Sequence, residues 1–343
     1  MPSSGFYVFI PVFNEESNLP IIASNIQKAL EALGDVKFLI SDNDSTDNTL
    51  HGLEQLRDQY PHVVAINRQV ENVGFSRNML AVELLPDDRK IILLGANDIL
   101  HPPGLKKLVE VVNGDPTIEL LICNWTYIEV DDDGTVNELQ PGDVRNLFAV
   151  DRLEEYLVRQ PFLPNGIMQW VASKRILLGM AAHVDTMSPH LGAFMDAFPC
   201  RCVTVPEPPL ALVKLVEDRG WRSSFESIIN THLQYVELVS RLLRDALDRR
   251  KISYATYTWV GTRHLKVLWR HPLSCWGKTR GSLRARLAWQ FRIFKYLIDI
   301  NSRYRFENPL YLVYECLFRN VLGRFRESCR FVRERTRMLL NRE

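Results

Sequence analysis

The stretch IILLGANDIL, residues 91–100, places an amide and a carboxylate, Asn97 and Asp98, between an apolar run and a further apolar pair. Two of the smallest residues, Gly95 and Ala96, precede them. A short apolar run closed by small and turn-forming residues reads as a buried strand that ends at an exposed edge. The segments before it fix the architecture. FYVFIPVF (6–13), VKFLISD (36–42) and VVAIN (63–67) are further strand-like runs. Between them lie the helical patterns SNLPIIASNIQKALEAL (17–33), STDNTLHGLEQLRDQ (45–59) and GFSRNMLAVELL (74–85). Strands alternating with helices predict a doubly wound α/β domain with a mostly parallel sheet. Ligands in such sheets bind at the carboxyl ends of the strands. Polar residues stand at those ends: Asn14 and Glu15, Asp42 and Asn43, then Asn97 and Asp98.

After Pro102 the alternation loosens. LLICNWTYIEVDDDGTV (120–136) reads as one strand entering a turn at Asp133-Gly134. RCVTVPEPPLALVKL (201–215) holds three prolines and reads as an edge strand, or a strand running into a loop. From about Trp221 the pattern is helical almost without interruption. These readings divide the chain into residues 1–220 and a helical extension, 221–343. The first part splits at about residue 110, where the alternation loosens, into residues 1–110 and 111–220.

Four stretches, IPVFNEESNLP, SDNDSTDNT, ENVGFSRN and LLGANDIL, come in order, each at a strand-to-helix or strand-to-loop junction. Together they resemble the nucleotide-sugar-binding half of family 2 glycosyltransferases, the GT-A fold, over residues 5–110. The resemblance implies transfer of a sugar from a nucleotide-diphosphate sugar to a hydroxyl of a glycan or lipid-linked acceptor, with inversion. Cell-surface polysaccharide or lipopolysaccharide synthesis is the setting it implies. On the donor side it assigns Pro11, Glu15, Asp42 and Asn43 to the base and ribose. Arg77 suits phosphate oxygens, where a guanidinium fork fits well, though a solvated helix arginine reads the same way. Asp98 is the candidate ligand of Mg²⁺ or Mn²⁺, hard cations that take one or two carboxylates plus the phosphates. Asn97 beside it is a candidate partner for the ribose or a phosphate-side water. The family more often has acids where Gly95 and Asn97 stand.

On the acceptor side the base is expected within HVDTMSPHLGAFMDAF (183–198). His190, 92 residues after Asp98, is the first candidate, because imidazole is a sensible base near neutral pH. Asp185 and Asp196 are its rivals. Trp170 suits either a sugar-stacking platform or a core position. Two other enzyme classes fit less well. DNDST (42–46) has the D-x-D-x-T form of haloacid-dehalogenase-type phosphatases, but a full strand and helix precede it. No G-x-G-x-x-G follows the first strand, which argues against a Rossmann dehydrogenase. A non-catalytic sugar- or nucleotide-binding relic of the glycosyltransferase fold is the serious rival.

The formal charge of +1 hides an asymmetry. Residues 249–343 hold 22 basic and 6 acidic side chains, net +16, and the preceding 248 are net −15. In SLRARLAWQFRIFKYLIDI (282–300), Leu283, Leu287, Phe291, Phe294 and Ile298 recur at helical spacing, with Arg284, Arg286, Arg292 and Lys295 among them. A basic amphipathic helix fits an anionic membrane surface; packing on the catalytic domain is the alternative. No nucleic-acid-binding module is recognisable. No apolar run reaches the roughly 18–20 residues of a spanning helix. Six cysteines without a C-x-x-C spacing fit buried thiols of a reducing compartment. The expected location is therefore cytoplasmic, on the inner face of the membrane.

Overall fold

The apolar runs form strands in the expected order. Those of the first half are β1 (Phe6–Val12), β2 (Val36–Asp42), β3 (Val64–Arg68), β4 (Lys90–Leu93) and β5 (Asp98–Leu100). Then come β6 (Leu120–Cys123), β7 (Trp125–Val130), β8 (Val136–Pro141), β9 (Phe148–Val150), β10 (Trp170–Ser173), β11 (Cys202–Val205) and β12 (Ala211–Lys214). The helices are α1 (Leu19–Leu33), α2 (Thr49–Gln59), α3 (Phe75–Asn78), α4 (Pro102–Gly114), α5 (Leu153–Arg159), α6 (Lys174–Leu178), α7 (Pro189–Ala197), α8 (Phe225–Asp248) and α9 (Tyr254–Ser274). The structure, a computed structural model, describes residues 5–130, 136–142, 144–160, 163–214, 225–274 and 295–306. The chain divides into two compact units, Met1–Gly220 and Trp221–Glu343.

The first unit is built on an eight-stranded sheet of order β3-β2-β1-β4-β10-β6-β11-β9. β1 to β4 are parallel to one another, and β10 enters antiparallel between β4 and β6. Every residue of β1 is buried, as a central strand covered on both faces requires. Pro11 is tolerated there because the pairing with β4 ends at Phe9, so its missing N–H removes no ladder bond. On α1, Ile22, Ile26 and Ala29 line one face and pack into the core beside Phe38 and Leu53. Gly34 closes that helix at φ 71°, donating its N–H to the Leu30 carbonyl.

A second sheet has the order β5-β12-β7-β8. This answers the question posed by residues 91–100. The chain leaves the large sheet after Leu93, turns through Gly95–Asn97, and enters the small sheet at Asp98. The free edge of β5 is covered by Asn25 of α1, which is fully buried. Its side-chain amide donates to the Asp98 carbonyl and accepts the Leu100 N–H, both at 2.8 Å. An edge strand is thereby closed to further pairing.

Several expectations are corrected. The proline-rich segment is no edge strand; it is a strand running into a loop, with a second strand beyond it: β11 lies between β6 and β9, and β12 between β5 and β7. Pro206, Pro208 and Pro209 fall in the linker between them, where no ladder N–H is needed. The run from Leu120 breaks at Asn124 into β6 and β7, which belong to different sheets. The helix expected over 74–85 is a single α-turn followed by a 3₁₀ stretch, Met79–Leu84. The turn at Asp133-Gly134 lies outside the described residues.

In the second unit, α8 and α9 are followed by helical residues 295–304. Glu237 is its polar hub, accepting hydrogen bonds from Arg303, Tyr304 and Tyr296. Leu297 and Ile300 are buried. Of the apolar stripe Leu283, Leu287, Phe291, Phe294 and Ile298, all but Ile298 lie outside the described residues. Among the described residues, no helix is long and apolar enough to cross a membrane. Cys123, Cys200 and Cys202 are buried cysteines.

Candidate active site

Three strand-end loops are stitched together by their own polar side chains. After β1, Asn14 takes φ 54°, a left-handed conformation that asparagine tolerates better than most residues. Its N–H donates to Ser45 Oγ at 2.9 Å, and its Oδ1 accepts the Thr46 N–H at 2.8 Å. Glu15 N–H donates to Thr49 Oγ1 at 2.8 Å. The first loop is therefore laid along the second. Asp42 ends β2 fully buried and accepts both the N–H and the hydroxyl of Ser45. Asn43 reaches the third loop: its Oδ1 accepts the Val73 N–H at 2.9 Å and its amide donates to Asn72 Oδ1 at 2.8 Å. Asn78 anchors α3 to β2 by exchanging hydrogen bonds with the hydroxyl and carbonyl of Ser41 at 2.6 and 2.8 Å.

The polar residues after β2 are thus loop fasteners more than helix caps. No side chain caps α2. Asp47 instead accepts N–H groups from Thr49 and Glu16. Desolvation works against its charge, but these hydrogen bonds outweigh it and hold the carboxyl below the usual range. Pro11 sits at this edge in register with Ser41, and Glu15 is half-buried, its carboxylate accepting the Asn18 amide. Arg77 is exposed one residue before Asn78, and its guanidinium has no hydrogen-bond partner among the described residues. The stitched loops bring Pro11, Glu15, Asp42 and Asn43 together, with Arg77 beside them.

The turn before β5 holds Asn97 and Asp98, both largely buried. Asp98 Oδ2 accepts the Gly95 N–H at 3.2 Å, and a Cβ at Gly95 would fall 2.6 Å from that oxygen. The missing side chain at Gly95 therefore makes room for the Asp98 carboxylate itself. Among the described residues, no group of three or more His, Cys, Asp or Glu side chains could hold a metal ion. Asp98, with the Asn97 amide adjoining, fits as a single carboxylate added to a cation that arrives with a diphosphate.

The three candidates for the base are not brought together. His190, at the start of α7, is 2% exposed; its Nε2–H donates to the Asn165 carbonyl at 2.8 Å, and its ring meets the Trp170 indole edge-on at 5.5 Å. Burial pushes the imidazole down to about 4, against the opposing hydrogen bond to Asn165. Its Nδ1 is buried without a partner. Trp170 is fully buried, its indole N–H donating to the Pro164 carbonyl, so it is a core residue and no sugar platform. Asp185 is exposed. Asp196 meets a residue the sequence did not single out: its Oδ2 lies 2.9 Å from His183 Nε2. No periodic signal marks that pair, because it joins a 3₁₀ turn to the helix beyond it. The turn is also fastened to the donor-side loops, since Ser76 Oγ donates to the Thr186 carbonyl at 2.7 Å.

Residues 7–158 match the family model described as Glycosyl transferase family 2. Over 114 residues the chain is 29% identical to the dolichol-phosphate mannosyltransferase of Pyrococcus furiosus, covering 33% of this chain and 31% of that protein. Over 115 residues it is 28% identical to the abequosyltransferase RfbV of Salmonella typhimurium, covering 34% of each. The chain thus spans about a third of the length of these curated relatives. Among solved structures, S. aureus TarS 1–349 in complex with UDP-GlcNAc superposes with a TM-score of 0.55 at 13% identity, over 86% of this chain and 81% of that one. At that identity the likeness is one of fold, and it is the GT-A fold.

Proposed function

We propose, starting from residues 7–158 as a family 2 glycosyltransferase domain, that this chain transfers a sugar from a nucleotide-diphosphate sugar to a hydroxyl acceptor. The observation that carries the reading is the stitching of the loops after β1, β2 and β3 into one rigid edge. Such an edge pre-forms a nucleotide site at the carboxyl ends of parallel strands. Pro11, Glu15, Asp42 and Asn43 shape its base and ribose end, Asp42 and Asn43 by fixing the loops. Arg77 is the free cation for the phosphates and Asn97 their polar neighbour. Asp98 is the protein's ligand for Mg²⁺ or Mn²⁺, which when bound neutralises charge on the leaving diphosphate.

The transfer inverts the sugar, and the acceptor is a glycan or lipid-linked hydroxyl. The relative named for dolichol phosphate supports a lipid-borne acceptor. The basic residues after Asp248 suit a cytoplasmic protein held at the anionic inner face of a membrane.

The test is a thermal-shift screen of nucleoside diphosphates with and without Mn²⁺. A ligand that binds only the folded state adds about 2.7 kcal/mol at one hundred times its Kd. One nucleotide should raise the melting temperature, and Mn²⁺ should enlarge the rise. No shift with any of them would remove the proposal. Binding without turnover of any nucleotide sugar would favour the non-catalytic relic, which Asn97 and Gly95 in place of acids already motivate.

A further inference from the structure

The acceptor side is the part of the site that residue types alone left open. A base for an acceptor hydroxyl needs a lone pair, access to substrate, and an orientation fixed in advance. His190 fails on access. It is 2% exposed, and the nitrogen it keeps free faces the protein interior. Asp185 has access, but no hydrogen bond orients its carboxylate among the described residues. His183 meets all three requirements. Its side chain keeps 17% of its exposure, and Nε2 is held by Asp196 at 2.9 Å. The Asp196 contact assigns the ring proton to Nε2 and leaves the lone pair on Nδ1, which has no hydrogen-bond partner among the described residues.

Two further features fix the ring. A Cβ at position 192 would fall 2.1–2.4 Å from its Cγ, Cδ2 and Nδ1. The imidazole thus lies directly on the α7 backbone, and only glycine admits it. The turn that carries it is closed by Thr186, whose N–H and hydroxyl donate to the His183 carbonyl at 3.0 and 2.8 Å. The same Thr186 offers its own carbonyl to Ser76, next to the exposed Arg77. The His183 turn is therefore tied to the loop that presents a guanidinium to the phosphates.

We propose that His183, oriented by Asp196, is the base that deprotonates the acceptor hydroxyl. The inference rests on the glycosyltransferase reading and names a residue for its unassigned step. The hydroxyl proton passes to Nδ1 as the acceptor oxygen bonds to the anomeric carbon of the donor. The bond from that carbon to the diphosphate oxygen breaks, and its electron pair leaves with the nucleoside diphosphate. The Asp196 carboxylate stabilises the imidazolium so formed. Asp196 is a positioning residue and His183 the catalytic one.

The experiment uses the full chain and a panel of UDP- and GDP-sugars. Binding is followed by thermal shift and turnover by release of nucleoside diphosphate, with water as acceptor. His183→Ala and His183→Gln should lower turnover by roughly 10²–10⁴, the usual worth of a general base, with the nucleotide-induced shift unchanged. Added imidazole should restore part of the rate to His183→Ala, which a structural role would not allow. Asp196→Asn should lower kcat with the KM for donor unchanged. Turnover within about twofold of wild type in both His183 variants, or a loss that imidazole does not relieve, would overturn the assignment. So would the same drop on Asp185→Asn with His183→Gln fully active. Binding of nucleotide without turnover in the wild type would leave the nucleotide site standing and remove the base. If nothing binds, the glycosyltransferase reading fails first, and the base falls with it.

Discussion

At the scale of single residues, Asp98 shows how a candidate can be legible while its geometry is not. Ligands meet a doubly wound sheet at the ends of its strands, so Asn97 and Asp98 stand out at once. Nothing in the string of letters says that the carboxylate folds back onto Gly95 N–H. That contact changes the design of the test. Asp98→Ala leaves the Gly95 N–H without its acceptor and costs about 1–3 kcal/mol for the lost pairing, so a loss of nucleotide binding in that variant would mix two causes. Asp98→Asn keeps an oxygen for Gly95 and removes only the charge. It should hold the melting temperature of the wild type and abolish the Mn²⁺-dependent part of the nucleotide shift. Asn97→Asp should keep or enlarge that part. A full Mn²⁺ response in Asp98→Asn would show that this carboxylate is no metal ligand. The donor-side candidates Asp42, Asn43, Asn97 and Asp98 could be picked out because they stand at or just after a strand end. Asp196 stood out as a carboxylate, but its pairing with His183 did not, because that depends on how a 3₁₀ turn meets α7 and on Gly192 admitting a ring.

At the scale of elements, α7 links stability to pH through a residue that the sequence offered as a base. His190 remains neutral in the folded state down to about 4, because burial disfavours its charge. In the unfolded chain an ordinary histidine gains its proton near 6.5. Between those values the unfolded state binds more protons, so stability falls as pH drops from about 6.5 toward 4 and is flat above. His264 of α9, pushed to about 4 chiefly by burial, with Arg263 adding to it, acts in the same sense in the second unit. Each histidine contributes roughly 3 kcal/mol across the window. Urea unfolding of the wild type should therefore weaken from pH 7 to pH 4.5. In His190→Gln the first unit should lose part of that dependence, whatever the substitution costs at pH 7. An unchanged slope would mean that His190 is not held neutral. The elements themselves were legible where period and punctuation agreed, as in α1 and β1 to β4. They were misread where proline dominated, because a proline beside a strand and a proline within one look alike until the partners are known. The 3₁₀ stretch Met79–Leu84 was likewise hidden, since its apolar spacing over two turns matches a helix of either kind.

At the scale of the whole molecule, the charge of +16 after Asp248 against −15 before it demands an anionic counterpart for the tail. Three were open: the acidic first part of the same chain, an anionic membrane surface, or a phosphate-bearing acceptor. Each can be separated by salt and by substitution on the full chain. A lysine or arginine near an anionic leaflet contributes about 1 kcal/mol, and the attraction fades within a Debye length of roughly 8–10 Å. Neutralising Arg284, Arg286 and Arg292 to Gln would then remove about 3 kcal/mol, which is on the order of a hundredfold in partitioning. The full chain should sediment with vesicles rich in anionic lipid at low salt and leave them at high salt, and the triple variant should stay in the supernatant under both conditions. The nucleotide-induced thermal shift should be the same in both proteins, because every donor-side residue precedes Arg249. If the wild type ignores anionic vesicles at low salt, the tail has no membrane role. A melting temperature lowered in the triple variant without ligand would then place those arginines in contact with the protein's own acidic surface.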